Sequence, residues 1–139
     1  MNTPAEVPTS PSDASIPAVD QALASARALI GPRVLPSALE REIAEGALVV
    51  DIRPEEQRRR DGCLQGAVVV DRNVLEWRLD CTSPHRLSEM QDPSRRVVIV
   101  CNEGYASSLA AAGLKELGLT DVTDLAGGYQ AWLACERRT

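Results

Sequence analysis

Apolar positions fall into short β-branched blocks separated by stretches of helical spacing, and this alternation predicts the elements. Val97 to Val100, four β-branched residues in a row, reads as a strand buried on both faces in the middle of a parallel sheet. Ala47 to Ile52 and Ala67 to Val70 read as two more buried strands, Val122 to Leu125 as the last, and Arg33 to Leu35 as a short edge strand. Between them the period lengthens. Ile16, Val19, Leu23, Ala26 and Ile30 mark a helix capped by Ser15, with Pro17 in its first turn and Gly31-Pro32 at its end. Further helices are predicted over Pro36 to Glu45, with Leu39 and Ile43 on one face, and over Pro54 to Arg60, where early acids and late bases suit the dipole. Asp71 caps Arg72 to Leu79, placing Val74, Leu75 and Leu79 inward and Trp77 at the margin. Ser107 and Ser108 cap a helix through Leu109, Leu114 and Leu117 that stops at Gly118, and Gly127-Gly128 opens the last helix through Trp132. Cys81 to Pro93 is the least patterned interior stretch, with one short helix expected around Leu87 to Met90. Strands alternating with helices give a three-layer α/β/α domain with a mainly parallel sheet of about five strands.

Composition adds the ends and removes some functions. Residues 1–15 are rich in Pro, Ser and Thr with little apolar content, which predicts a disordered tail. Residues 16–30 form an N-terminal helix extension, packed on the domain's flank or against another subunit, and residues 31–139 form the domain itself. The tail lacks the basic start and apolar run of a secretory signal, and no apolar stretch reaches the roughly 20 residues of a membrane span, so a cytoplasmic protein with no membrane partner is expected. A net charge of −5 argues against a nucleic-acid partner. Four cysteines, Cys63, Cys81, Cys101 and Cys135, contain no C-x-x-C pair, so reduced thiols are expected, with no metal site and no cofactor.

Cys101 ends a strand and is followed by a short loop, Asn102 to Ala106, and then by a helix. Only the thiolate is a good nucleophile, and an ordinary thiol with a pKa of about 8.5 is mostly protonated near neutrality. Unpaired N–H groups of a helix's first turn and of a tight loop can stabilise the anion without a basic side chain, and Gly104 lets backbone approach closely. The alternative is a buried structural cysteine. A loop containing Gly104, Asn102 and Glu103 suits an open cradle better than a packed interior. The only histidine, His85, sits beside Pro84 in a loop and reads as a surface residue, which removes the Cys–His pair of a papain-like protease.

The segment Cys101 to Ala106, between a central strand and a helix, resembles the catalytic loop of the rhodanese family of sulfurtransferases. Three more landmarks resemble it in order: Val49-Val50-Asp51-Ile52-Arg53 its Asp-x-Arg strand end, Gly62-Cys63-Leu64-Gln65-Gly66-Ala67 its Gly-His-Ile-x-Gly-Ala turn, and Gly127-Gly128-Tyr129-Gln130-Ala131-Trp132 its closing segment. The match covers roughly residues 33–135 and is that of a single-domain member.

The resemblance implies that Cys101 is the catalytic nucleophile and that the loop, Asn102, Glu103, Gly104, Tyr105, Ala106 and Ser107, binds the transferred sulfur. Arg58 or Arg59 would reach an anionic substrate, with Arg58 the candidate. Asp51 and Arg53 support the site, through a structural bond to each other or the loop, or by shaping its floor. Cys101 would take sulfur from a small-molecule donor such as thiosulfate or a persulfide and pass it to a thiol or cyanide acceptor, or to a protein sulfur carrier. Cys63 stands where the family usually has histidine, and two residues of the loop also depart from the family. Ala106 stands where many loops have Arg, and Glu103 puts a carboxylate beside the thiol, which at about 4 Å repels a dianion by of order 1 kcal/mol or more. A phosphatase or arsenate reductase would want a longer loop ending in Arg. A non-catalytic module that senses redox state or binds a partner is the alternative of another class; separately, Cys63 or Cys81 would resolve a persulfide or sulfenate on Cys101 by forming a disulfide.

Overall fold

The computed structural model describes residues 15–138. The predicted tail therefore lies outside the described residues except for Ser15. Helix α1 (Ala18–Ile30) leads through a 3₁₀ turn (Pro36–Ala38) to α2 (Leu39–Ala44), β1 (Leu48–Asp51), α3 (Glu55–Asp61) and β2 (Ala67–Val69). A second 3₁₀ turn (Arg72–Val74) precedes α4 (Leu75–Leu79), and β3 (Val97–Val100), α5 (Ala106–Glu116), β4 (Val122–Asp124) and α6 (Gly128–Arg137) complete the order. All pairings are parallel, in the order β2-β1-β3-β4, with Asp51 opposite Val100 and Ile99 opposite Asp124.

The sheet divides the core by the two-residue period of its strands. Leu48, Val50, Val97, Ile99 and Cys101 pack with Ala26 and Ile30 of α1, Leu75 and Leu79 of α4, and Ala110, Ala111 and Leu114 of α5. Val49, Val98 and Val100 point the other way, onto Leu39, Leu64, Leu125 and Tyr129, with Trp132 beside them. Both faces of β1 and β3 are covered, which is why these strands are uninterrupted apolar runs.

The sheet has four strands, not five. Val34 makes only an isolated parallel bridge to Leu125, because Pro32 cannot donate and Pro36 already starts the 3₁₀ turn. The strand from Ala67 is the sheet edge rather than a buried strand, and Val69 is 47% exposed. Pro17 caps α1 instead of lying in its first turn. Val74 is exposed, since Arg72–Val74 is 3₁₀ and the tighter winding carries it out of the apolar face that Leu75 and Leu79 keep. No helix forms around Leu87 to Met90, whose ends are buried in a turn closed by the Met90 N–H on the Leu87 carbonyl.

Candidate active site

Three parallel strands deliver Asp51, Cys101 and Asp124 to one edge of the sheet, the carboxyl edge where open α/β sheets bind ligands. Cys101 stands one residue past the end of β3 and is 7% exposed. Its Sγ accepts from the Gly104 N–H at 3.2 Å and from the Ser107 N–H, in the first turn of α5, at 3.3 Å. These are the loop amide and the helix amide that an anionic sulfur needs. The thiol also donates to Ser107 Oγ at 3.2 Å, and Ser107 in turn donates to Asp124 Oδ2 at 2.7 Å.

Helix α6 holds the loop from one side. Tyr129 N–H donates to the Cys101 carbonyl at 2.8 Å and Gln130 N–H to the Asn102 carbonyl at 3.0 Å, so loop carbonyls satisfy amides at the start of the helix. The Gln130 side chain bridges Asn102 Oδ1 and Asp61 Oδ2. A Cβ on Gly104 would lie 2.7 Å from the Gly127 nitrogen and one on Gly128 would lie 2.6 Å from the Asn102 carbonyl, and both residues have positive φ. The double glycine thus permits the close approach of the loop.

In front of Cys101 lies a cavity of about 350 Å³ lined by Ile52, Arg53, Pro54, Gln57, Arg72, Asn102, Glu103, Tyr105 and Ala106. Arg53 is 2% exposed and forms a bidentate pair with Asp51, donates to the Gly62 carbonyl, and lies 3.7 Å over the Tyr129 ring. Its Nη1 has no hydrogen-bond partner. Arg72 pairs with Glu76 at 3.0 Å. Each guanidinium in the wall therefore has a carboxylate, and Glu103 at the exposed rim adds a negative charge.

A model of the rhodanese-like domain matches residues 35–135. The chain belongs to the rhodanese-like domain family. Thiosulfate sulfurtransferase GlpE of Pseudomonas putida is 34% identical over 97 residues, 70% of this chain and 79% of that protein. Among solved structures, a protein of unknown function from Rhodopseudomonas palustris, described as a possible tyrosine phosphatase, is 28% identical with a TM-score of 0.77, covering 86% of this chain and 92% of that one. The human single-domain sulfurtransferase TSTD1 is 26% identical with a TM-score of 0.64, covering 75% and 96%.

On this rhodanese-like domain the predicted loop residues surround Cys101, while Arg58 does not line its cavity. Arg58 donates to the Arg53 carbonyl and lines a neighbouring cleft. The cations lining the cavity in front of Cys101 are Arg53 and Arg72, and Arg72 was legible only as a helix residue. Ser107 and Ser108 are not caps. The helix begins at Ala106, so both serines lie inside its first turn, and both hydroxyls donate to Asp124 Oδ2 at 2.7 Å, a charged acceptor. Asp124 itself was missed, although an acid inside Val122-Thr123-Asp124-Leu125 signals a buried charge in need of a partner.

All four cysteines are free thiols. Burial pushes the Cys81 thiol up, and Asp80 and Asp92 add to the shift, so Cys81 is poorly suited to act as a nucleophilic thiol near neutral pH. Among the described residues no group of His, Cys, Asp and Glu could hold a metal ion, and no helix is long and apolar enough to cross a membrane.

Proposed function

We propose that this chain is a sulfurtransferase that carries sulfane sulfur on Cys101. The carrying observation is a thiol that accepts two backbone N–H bonds at the floor of an open cavity, on a domain of the rhodanese-like family. The Cys101 thiolate attacks the outer sulfur of the donor, a new S–S bond forms, and the donor's S–S bond breaks with its electron pair leaving on sulfite or a thiolate. A thiol or cyanide acceptor then attacks the outer sulfur of the Cys101 persulfide and the Cys101 thiolate departs. The Gly104 and Ser107 amides serve both anionic states.

The family's thiosulfate-named relatives support thiosulfate as a donor. Glu103 at the rim and the pairing of Arg53 and Arg72 favour a less charged persulfide over a dianion. A phosphatase reading, suggested by the Rhodopseudomonas palustris neighbour, is disfavoured because Ala106 occupies the loop end where an arginine would bind the oxyanion.

Intact-mass measurement after incubation with thiosulfate or glutathione persulfide tests the proposal. A gain of one sulfur, about 32 Da, lost on adding cyanide or thiol and absent from Cys101→Ala, is the expected result for covalent transfer. No adduct from either donor on folded protein sinks it and favours a sensing or partner-binding module.

A further inference from the structure

We propose that Arg27 of α1, acting with Arg33, is a positioning residue for the cysteine loop, so that the helix ahead of the family-matched segment is a working part of the active site. The sulfur-transfer role of that loop rests on the function proposed above; the positioning does not. Both arginines precede residues 35–135, where the family match lies. Both reach the same atom. Arg27 Nη2 and Arg33 Nη2 each donate to the Gly104 carbonyl at 2.8 Å, the residue whose N–H faces Sγ.

The glycine makes this clamp necessary. Gly104 sits at φ +87, and a residue without Cβ has little intrinsic preference to hold that conformation. Its direction must come from partners. Two charge-assisted bonds fix the peptide plane after Gly104, and contact with Gly127 and Gly128 limits its α-carbon, so the amide before it points at sulfur. Arg27 also donates from Nε to Ser108 Oγ at 3.1 Å and stacks 5.7 Å over Tyr105, whose ring walls the cavity. Arg33 is held in turn by both oxygens of Asp124, at 2.7 and 3.0 Å, and the same carboxylate accepts from Ser107 and Ser108. Helix α1 can bring Arg27 there because Ala26 and Ile30 bury against Ala110 and Leu114 of α5. Arg27 does not line the cavity, so it acts through the loop and not on substrate.

The experiment compares full-length Arg27→Met, Arg27→Lys and Ile30→Val with the parent chain, reading the second-order rate of Cys101 alkylation by iodoacetamide, the kcat and KM for persulfide transfer, and the thermal midpoint. Arg27→Met keeps the packing stem and removes the donors. Alkylation and kcat should fall about tenfold with KM unchanged, the worth of one charge-assisted hydrogen bond, and Arg27→Lys should recover part of the loss. Ile30→Val should lower the midpoint without changing either rate, because it loosens α1 and leaves the clamp intact. Rates within twofold of the parent in folded Arg27→Met, or an equal loss in Ile30→Val, overturn the proposal. If Arg27→Met does not fold, Arg27→Lys decides: it cannot span both acceptors, and parental rates there overturn the proposal equally. A parent that alkylates readily yet loads no sulfur would defeat the sulfurtransferase reading while leaving the alkylation comparison intact.

Discussion

The strands on either side of Cys101 each end in a buried aspartate paired with an arginine, and the two pairs do different work. Asp51 and Arg53 are two residues apart, and the Arg53 side chain is fully enclosed, with Nη2 also donating to the Gly62 carbonyl and the guanidinium face lying on Tyr129. Asp124 and Arg33 are 91 residues apart, and Arg33 keeps partial access to solvent. The first pair locks a turn to itself and to α6. The second touches the reactive loop through Ser107, Ser108 and Gly104. A local pair therefore stabilises the floor of the site, whereas a long-range pair sets the geometry of the sulfur's surroundings.

Asp51→Asn gives the largest expected effect on stability. It leaves the Arg53 guanidinium buried without a counter-charge, and breaking such a pair costs about 3–5 kcal/mol. Urea denaturation should show this loss, with Cys101 alkylation in the remaining folded protein close to the parent's. A stability loss under about 1 kcal/mol would mean that the Tyr129 ring and the Gly62 carbonyl hold Arg53 without Asp51.

Asp124→Asn should invert that profile. Arg33 can turn to solvent, so the expected stability cost is smaller, about 1–3 kcal/mol for the hydrogen bonds lost. The Ser107 hydroxyl has a single proton, now committed to Asp124, and the carboxylate also fixes Arg33 on the Gly104 carbonyl. Releasing both should change Cys101 alkylation by about tenfold or more, beyond what the stability loss accounts for. If alkylation is unchanged while stability falls as far as in Asp51→Asn, the two pairs are equivalent and the contrast fails.

This contrast also explains what the sequence could and could not reveal. Val97 to Val100, Cys101 and the following helix were readable because strand, loop and helix are neighbours in the chain, and Asp51 and Arg53 were readable for the same reason. Gly127-Gly128 carried its own signal, since two glycines at a helix start are costly unless backbone must pass close by. Arg27, Arg33 and Asp124 carried none as a set, because 71 to 91 residues separate the partners and only the parallel crossover brings them together. Ser107 and Ser108 were misread as caps because local propensity knows nothing of a carboxylate arriving from β4. Arg33 to Leu35 looked like a strand by composition, but flanking prolines left only one bridge.

The smallest expected effect lies on the Asp51 side, at Asp61. Its carboxylate accepts from Arg60 and from Gln130, and the Arg60 hydrogen bond first, then Gln130, holds it below the usual carboxylate range against the opposing cost of desolvation. A folded pKa below the unfolded one means that the unfolded chain binds more protons in that window, so stability rises with pH there. The contribution is complete above the unfolded value of about 4 and is lost as pH falls through the lower folded value. Because Gln130 joins Asp61 to Asn102, protonation should loosen the α6 grip on the loop and leave the Arg27 and Arg33 clamp in place. Urea midpoints between neutral pH and about pH 3 should therefore fall less steeply in Asp61→Asn than in the parent, most of all below pH about 4. Superimposable acid limbs would show that Asp61 is as solvated folded as unfolded, and that α6 holds the loop through its backbone bonds from Tyr129 and Gln130 alone.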